Sequence, residues 1–278
     1  MNPCARARLS LPITLRRIVV KSVTDLSPCM RRITFTGDDL FGAAGREAFS
    51  SPGFDDHVKL VLPGAAGDDH PGEQTPTGLE WRPGALERTR DYSVRTWDAA
   101  SGRLDIDVVR HPGGLASAWA ERARPGDSLH CAGPRSSAGD LPSADWHLLI
   151  GDETALPAIG RWLEETPAGP TTHAFIEVPA ASDRQELATS AHVTWLARGR
   201  HIGAGTSTLL LDALREFAPP PGLGYAWCAA EAETVKPIRR LLRDVLGGER
   251  VEVHGYWRHR DADDQEAISH SDATLPAA

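Results

Sequence analysis

The chain carries near its first third the stretch Arg90-Asp91-Tyr92-Ser93-Val94-Arg95, in which charged or polar side chains alternate with Tyr92 and Val94. Alternation with a period of two predicts a β-strand that buries one face. An arginine can neutralise a phosphate, a tyrosine can pack on a flat ring, and a serine hydroxyl can bond a ring nitrogen. The stretch therefore fits either an ordinary surface-to-core strand, which is the commoner case, or a strand that binds a flat ring joined to a diphosphate.

Short strands surround this stretch throughout the first half of the chain. They are predicted at residues 12–23, 29–36, 57–62, 90–98, 103–111 and 128–132. Residues 64–84 between them are rich in Gly, Pro and Asp and predict a mobile surface loop. Six short strands with a single helix predict a small closed antiparallel β-barrel.

The one helix predicted in this half follows a glycine turn. Pro112-Gly113-Gly114 is followed by small residues and a short helix ending near Ala123. Small residues at a helix start leave backbone N–H groups free to hold an anion, with the helix dipole assisting. A plain turn explains the same pattern, because the spacing matches neither a Walker loop nor a GxGxxG motif.

Strands and helices alternate in the second half of the chain. Strands are predicted at 146–150, 172–178, 193–197, 225–229 and 251–257, with helices starting at Pro157 and spanning 206–217 and 232–246. This alternation predicts a parallel sheet, in which ligands bind at the carboxyl ends of the strands. The predicted organisation is a β-barrel domain at 12–140, an α/β domain at 141–260 and a disordered acidic tail at 261–278.

Composition excludes several classes of protein. The 278 residues carry a formal net charge of -8 with 41% hydrophobic and 24% charged residues, which predicts no nucleic-acid partner. No apolar run is long enough for a signal peptide or a membrane span, so no membrane insertion and a cytoplasmic location are expected. Four dispersed cysteines without CxxC predict reduced thiols, and eleven histidines without HExxH predict no metal site.

Several motifs together resemble the ferredoxin-reductase-like flavoproteins, and most closely the siderophore-interacting proteins, which are FAD-containing ferric-siderophore reductases. The resemblance covers about residues 12–260, and its most specific string is Gly151–Ile159. The other matching segments are Met30–Phe35, His57–Leu60, Arg90–Arg95, His111–Trp119, Gly133–Arg135, Val193–Leu196 and Gly255–Arg258.

The resemblance implies roles for individual residues. The residues implied to line the flavin are Arg90, Tyr92, Ser93 and Val94. Those implied to hold the FAD diphosphate are Gly114, Ala116 and Ser117, with His111 alongside. Those implied to face NADH or NADPH are Gly151, Asp152, Glu153, Thr154, Ala155 and Glu231. Arg198 could pair with a cofactor phosphate or form a structural salt bridge.

The resemblance also implies a substrate and an electron source. The flavin carries the chemistry, so no catalytic side chain is expected. Ferric siderophores are often anionic, and Lys59, Arg135 and Arg258 at the family motifs are the candidate substrate-binding cations, or else solvated surface charges. NADH or NADPH is the expected donor, with a ferredoxin as the alternative.

Ala230 departs from the family pattern, because a glycine is usual in the string Trp227–Glu231, and its methyl group could crowd the nucleotide. Cys228 in the same strand is interpreted as a core residue. Two other functions stay open: a general NAD(P)H–flavin or ferredoxin-type reductase serving another acceptor, and a non-enzymatic siderophore-binding protein.

Overall fold

A computed structural model describes residues 6–42, 47–64, 70–75, 78–166 and 170–259. The predicted acidic tail at 261–278 lies outside the described residues. The strands of the first half are β1 (Arg8–Ser10), β2 (Leu15–Ser27), β3 (Met30–Thr36), β4 (His57–Val61), β5 (Gly72–Thr75), β6 (Gly78–Trp81), β7 (Thr89–Ser93), β8 (Thr96–Asp98), β9 (Arg103–Val109), β10 (Ser128–Ala132) and β11 (Ser136–Ala138), with helix α1 (Leu115–Arg122) before β10.

Seven of these strands form one antiparallel sheet in the order β7-β4-β10-β2-β3-β9-β8. The prediction of six strands was wrong because the strand predicted at 90–98 breaks after Ser93. There the Val94 N–H donates to the Asp56 carbonyl (2.8 Å) and the Arg95 N–H donates to the Asp105 carbonyl (3.0 Å). The backbone thus leaves the partner strand β4 and joins β9, so one continuous segment forms both edges of the sheet.

A hairpin lies within the segment predicted to be a loop at 64–84. Strands β5 and β6 pair antiparallel, which corrects that prediction for residues 72–75 and 78–81. Gly72 permits the close approach, since a Cβ there would lie 2.3 Å from the Glu80 carbonyl oxygen. The Gln74 side chain accepts the Leu15 N–H (3.0 Å) and donates to the Ile13 carbonyl (3.1 Å), so contacts distant in sequence order this hairpin.

A five-stranded sheet forms the second half, and every pairing in it is parallel, as predicted. Its elements are β12 (Trp146–Gly151), α2 (Leu156–Glu165), β13 (Thr171–Val178), β14 (His192–Ala197), α3 (Leu209–Glu216), β15 (Gly224–Glu231), α4 (Val235–Leu246) and β16 (Val251–Trp257). The order β14-β13-β12-β15-β16 places the point where the winding direction reverses between β12 and β15. Ligands of doubly wound sheets bind in the crevice beside this point.

The two sheets share a hydrophobic core. Met30 and Phe54 from the antiparallel part pack with Trp162 and Trp227 from the parallel part. The ring centroid of Phe54 lies 5.2 Å from that of Trp162 and 5.3 Å from that of Trp227. This shared packing fixes the cleft between the two sheets. Among the described residues, no helix combines the length and apolar character needed to cross a bilayer.

Candidate active site

A cavity of about 1110 Å³ lies between the antiparallel and parallel sheets. All five residues of β7 line it, and residues 253–257 of β16 line it as well. The segments after β12 and β14 complete the wall through Glu153, Thr154 and Arg198. The volume is at the upper end of the roughly 300–1,000 Å³ typical of small-molecule sites. The cavity therefore has room for a large ligand.

Strand β7 presents three of the four predicted flavin residues to this cavity, because it is an edge strand. Arg90 is exposed and its Nη1 donates to the carbonyls of Glu87 (3.0 Å) and Thr89 (2.7 Å). Tyr92 is half-buried; burial raises the pKa of its phenol to about 12, and the charge of Arg90 opposes this only weakly. The side chain of the fourth residue, Val94, packs in the hydrophobic core instead.

Ser93 connects the two sides of the cavity. Its side chain is buried and lies near the phenol of Tyr256 on β16. Burial raises the pKa of Tyr256 above its ordinary range, and the neighbouring Ser93 side chain opposes this increase. Both residues line the cavity where β7 faces the parallel sheet.

The glycine turn before α1 brings His111 to the cavity. Gly113 adopts φ +76°, and a Cβ on Gly114 would lie 2.3 Å from the His111 ring. The Ser117 hydroxyl accepts the His111 backbone N–H (2.9 Å), and Ala116 packs in the core. His111 lines the cavity, whereas Gly114, Ala116 and Ser117 are not part of its lining. The three residues predicted to hold the diphosphate therefore shape the turn, and any contact from them to a ligand would come from their backbone N–H groups, as the sequence predicted.

Asp152 organises the crevice at the point where the winding reverses. The carboxylate is buried and accepts N–H groups from Thr154 (2.8 Å), Glu231 (3.1 Å) and the Trp257 indole (2.8 Å). Burial and, next, the charge of Glu153 raise the pKa of Asp152 to about 6 despite these hydrogen bonds. Asp152 thereby joins the ends of β12, β15 and β16 and positions Trp257 on the cavity wall.

The predicted nucleotide residues divide into two groups. Glu153 and Thr154 line the cavity, while Gly151, Asp152, Ala155 and Glu231 are buried away from it. Burial opposes the ionisation of Glu231, but backbone N–H groups of Thr234, His259 and Glu233 outweigh it and hold its pKa below the ordinary value. The carboxylate of Glu231 therefore fixes the start of α4 rather than facing a ligand.

Arg198 forms the structural salt bridge that was one of its two predicted roles. Its guanidinium contacts both carboxylate oxygens of Glu153 (2.5 and 2.7 Å) and lies 3.5 Å from Glu177. All three side chains are buried. Arg198 still forms part of the cavity wall, but its charge is already neutralised within the protein.

The three candidate substrate cations differ in their environment. Lys59 Nζ lies 3.0 and 3.1 Å from the two carboxylate oxygens of Asp91, its cross-strand neighbour. Arg135 and Arg258 are exposed, and neither forms an ion pair within the described residues. None of the three lines the cavity, although Asp91 and the residues flanking Arg258 do.

Ala230 and Cys228 face away from the cavity. Both are fully buried and pack with Ile238 and Leu242 of α4. Burial raises the pKa of the Cys228 thiol, as expected for the core residue that the sequence predicted. The methyl group of Ala230 therefore fills the core, and the expected crowding of a nucleotide by it has no counterpart in the structure.

Several cavity residues were not predicted from the sequence. They are His57, Arg110, Arg200, His254, Tyr256, Trp257 and His259. The string Gly255–Arg258 matches a family motif, but only its last residue, Arg258, was predicted to be part of a binding site. Two adjacent aromatic residues at the end of the last parallel strand were the signal that could have identified Tyr256 and Trp257.

One group in the described part of the chain has the donor atoms of a metal site. Carboxylate and imidazole atoms of Asp55, Glu252 and His254 lie within 4.8 Å of one another. The guanidinium of Arg6 contacts Asp55 (2.7 Å) and Glu252 (3.2 Å). The guanidinium thus bridges both carboxylates where a metal ion would otherwise bind, which makes the group an ion-pair cluster.

Four arginines and three carboxylates line the cavity, a net of one positive charge with neutral histidines. They are Arg90, Arg110, Arg198 and Arg200 with Asp91, Asp107 and Glu153.

An antiparallel sheet with a cavity-lining edge strand, joined to a doubly wound parallel sheet across one large cavity, is a fold shared with the Amycolatopsis cytochrome P450 reductase, which matches with TM-score 0.57 and 19% identity, covering 89% of this chain and 72% of that structure. The chain belongs to the siderophore-interacting protein family. The model of the siderophore-interacting FAD-binding domain matches residues 19–138, and that of the siderophore-interacting protein matches residues 144–260.

Characterised relatives agree with this membership. The chain is 31% identical over 257 residues to the NADPH-dependent ferric-chelate reductase of Escherichia coli K12, covering 90% of this chain and 95% of the relative. It is 30% identical over 244 residues to the ferric vibriobactin reductase of Vibrio cholerae, covering 84% and 85%. The crystal structure of a siderophore utilization protein from T. fusca matches with TM-score 0.84 and 37% identity, covering 96% and 98%. The resemblance inferred from the motifs is confirmed.

Proposed function

We propose that this protein is an FAD-dependent ferric-siderophore reductase that passes electrons from NADPH or NADH to Fe(III) and thereby releases Fe(II). The observation that carries this proposal is the single cavity into which both Arg90–Ser93 and the crevice of the parallel sheet open. Because β7 and the crevice of the parallel sheet face the same cavity, a nucleotide donor, a flavin and a ferric acceptor could all bind there in contact. Electron transfer between them requires no catalytic acid or base.

The residues on the cavity wall fit a flavin dinucleotide. Arg90 is an exposed cation on an edge strand, and Tyr92 and Ser93 offer a ring face and a hydroxyl beside it. The turn at Gly113 and Gly114 leads into α1, whose first N–H groups suit a phosphate. We propose that these groups orient the cofactor, which when bound accepts a hydride and passes electrons singly to the iron. Hard oxygen ligands hold Fe(II) less tightly than Fe(III), so reduction releases the metal.

The parallel sheet supplies the proposed nucleotide site. Glu153, Thr154 and Trp257 line the crevice, and Asp152 holds two of the strand ends that form it. The NADPH dependence printed for the Escherichia coli relative supports a nicotinamide donor. A ferredoxin is the alternative donor, and we propose a cytoplasmic location. We also propose domain limits of 12–140 and 141–260, with the antiparallel sheet closed into a barrel.

The first experiment is a visible spectrum of the purified protein under anaerobic conditions. A flavin spectrum that bleaches with NADPH or NADH and returns on adding a ferric siderophore is expected. Flavin that nucleotide bleaches but no ferric complex reoxidises would point to a reductase for another acceptor. Protein that binds no flavin after reconstitution with FAD would refute the proposal.

Replacing Arg90 with alanine is expected to weaken FAD binding by about ten- to a hundredfold, because a hydrogen bond to a charged group contributes roughly 1.5–3 kcal/mol. Titration of the apoprotein with FAD, followed by flavin fluorescence, measures the effect. The matched control is Arg103→Ala, an exposed arginine of β9 outside the cavity lining, which should bind FAD as wild type does. Unchanged FAD affinity in Arg90→Ala would remove this residue from the site.

Replacing Arg135 with alanine is expected to lower kcat/KM for an anionic ferric siderophore by about three- to tenfold at low salt and to leave an uncharged chelate within about twofold. Lys59→Ala should have a smaller effect of the same kind, because Asp91 already pairs with that lysine. The control Lys21→Ala removes an exposed lysine of β2. Equal losses with both chelates would mean that these cations do not contact the substrate.

A further inference from the structure

Asp91 places a carboxylate on the wall of a cavity that is proposed to bind anionic ligands. It is the third residue of β7 and lines the cavity, and its side chain is 51% exposed. Both its carboxylate oxygens contact Lys59 Nζ, the cross-strand neighbour on β4. The carboxylate thus neutralises one of the three candidate substrate cations where the strand enters the cavity.

The rest of the cavity adds little positive charge. Its lining carries four arginines against three carboxylates. Arg198 is committed to Glu153 and Glu177, and Arg200 pairs with the buried carboxylate of Asp183 (2.8 Å). A bound dinucleotide cofactor would bring phosphate charges of its own. A highly charged anionic substrate would therefore meet a wall whose surplus is a single positive charge.

We propose that Asp91 makes this cavity selective for uncharged ferric complexes of the tris-hydroxamate type over trianionic complexes of the tris-catecholate type. The inference rests on the proposed ferric-siderophore reductase function and names the substrate class of that site. Three hydroxamates balance the charge of Fe(III), whereas three catecholates leave a trianion. The exposed carboxylate repels the trianion and has no such effect on the neutral complex, while Lys59 is held in an ion pair.

Reoxidation of the reduced holoprotein tests this inference without involving nucleotide binding. The flavin is reduced anaerobically with one equivalent of dithionite, and its absorbance is followed after mixing with ferric tris(acetohydroxamate) or ferric tris(catecholate). Wild type should react faster with the uncharged complex. Asp91→Asn should raise the second-order rate constant for the trianion by about three- to tenfold at low ionic strength and leave the uncharged complex within about twofold. The gain should disappear in high salt.

Two matched variants separate local charge from other effects. Asp91→Glu keeps the carboxylate and should preserve the wild-type preference. Glu80→Gln makes the same charge change on β6, outside the cavity lining, and should also behave as wild type. Replacing Lys59 with methionine should lower the rate constant for the trianion more in Asp91→Asn than in wild type. The reason is that Lys59 is released from its ion pair when Asp91 is replaced.

The outcomes distinguish this inference from the function on which it rests. If both complexes reoxidise the flavin and Asp91→Asn changes neither rate, or changes both equally, the role of Asp91 is refuted while the reductase stands. A wild type that reacts faster with the trianion also refutes it. If neither ferric complex reoxidises the reduced wild-type flavin, the ferric-reductase function itself is refuted.

Discussion

Replacing Arg198 with methionine is expected to lower the free energy of unfolding by about 3–5 kcal/mol at neutral pH, because it leaves buried carboxylates without their cation. Glu153 contacts both arms of the guanidinium, and Glu177 lies 3.5 Å away. Asp152 is buried beside them, and the charge of Glu153 already raises its pKa. Methionine preserves much of the side-chain volume, so the loss of charge compensation dominates the effect.

The loss of unfolding free energy in Arg198→Met should be larger at high pH than at low pH. Burial already raises the pKa of Glu177 in the wild type, and Arg198 opposes that increase. Without Arg198 the folded-state pKa rises further above the unfolded value of about 4.3, so the folded state binds more protons. Stability is therefore lost as pH rises through the raised pKa, and the deficit should be smaller near pH 5 than near pH 8.

Denaturant unfolding of wild type and variant across this pH range measures both effects. Arg215→Met, which removes an exposed arginine of α3 paired with Asp212, is the matched control and should cost less than about 1 kcal/mol. A deficit for Arg198→Met no larger than the control, or one that grows toward acid pH, would contradict the buried-cluster interpretation.

Replacing Arg161 with methionine is expected to lower the free energy of unfolding by about 2–4 kcal/mol, because two buried carbonyl groups lose their partner. From α2, its guanidinium donates to the Ser51 carbonyl (2.7 Å), the Ser51 hydroxyl (2.9 Å) and the Val94 carbonyl (3.2 Å). In the opposite direction, Arg95 from the antiparallel sheet pairs with Glu164 of α2 (2.5 Å). These contacts hold residues 94 and 95, which follow β7, against α2 of the parallel sheet.

The same variant should also release FAD at a lower temperature than wild type, since Val94 directly follows Ser93 on the cavity wall. Denaturant unfolding and the thermal rise of flavin fluorescence measure the two effects separately. Arg161→Lys keeps a cation but has fewer donors, and it should fall between wild type and Arg161→Met. Wild-type stability in Arg161→Met would show that the hydrogen bonds of Arg161 do not contribute to holding the two sheets together.

The cavity is predictable from local sequence only where its residues belong to continuous strands. The alternation in Arg90–Arg95 indicated a strand, and three of the four residues assigned to the flavin do line the cavity. The family resemblance implied His111, which also lines the cavity. Residues opposite them, such as Tyr256 and Trp257, were missed because their role depends on how β16 faces β7, which no local pattern encodes.

The sequence by itself determined most of the longer strands and helices, the parallel sheet and the family, because these depend on periodicity and on short motifs within continuous segments. The tertiary structure alone decided which charges neutralise one another. Arg6 reaches Glu252 across 246 positions, and Arg198 reaches Glu153 across 45. Lys59 pairs with Asp91 only because β4 and β7 are neighbours in that register. Side-chain ion pairs form between atoms a few ångströms apart in space, and spacing along the chain does not specify that proximity.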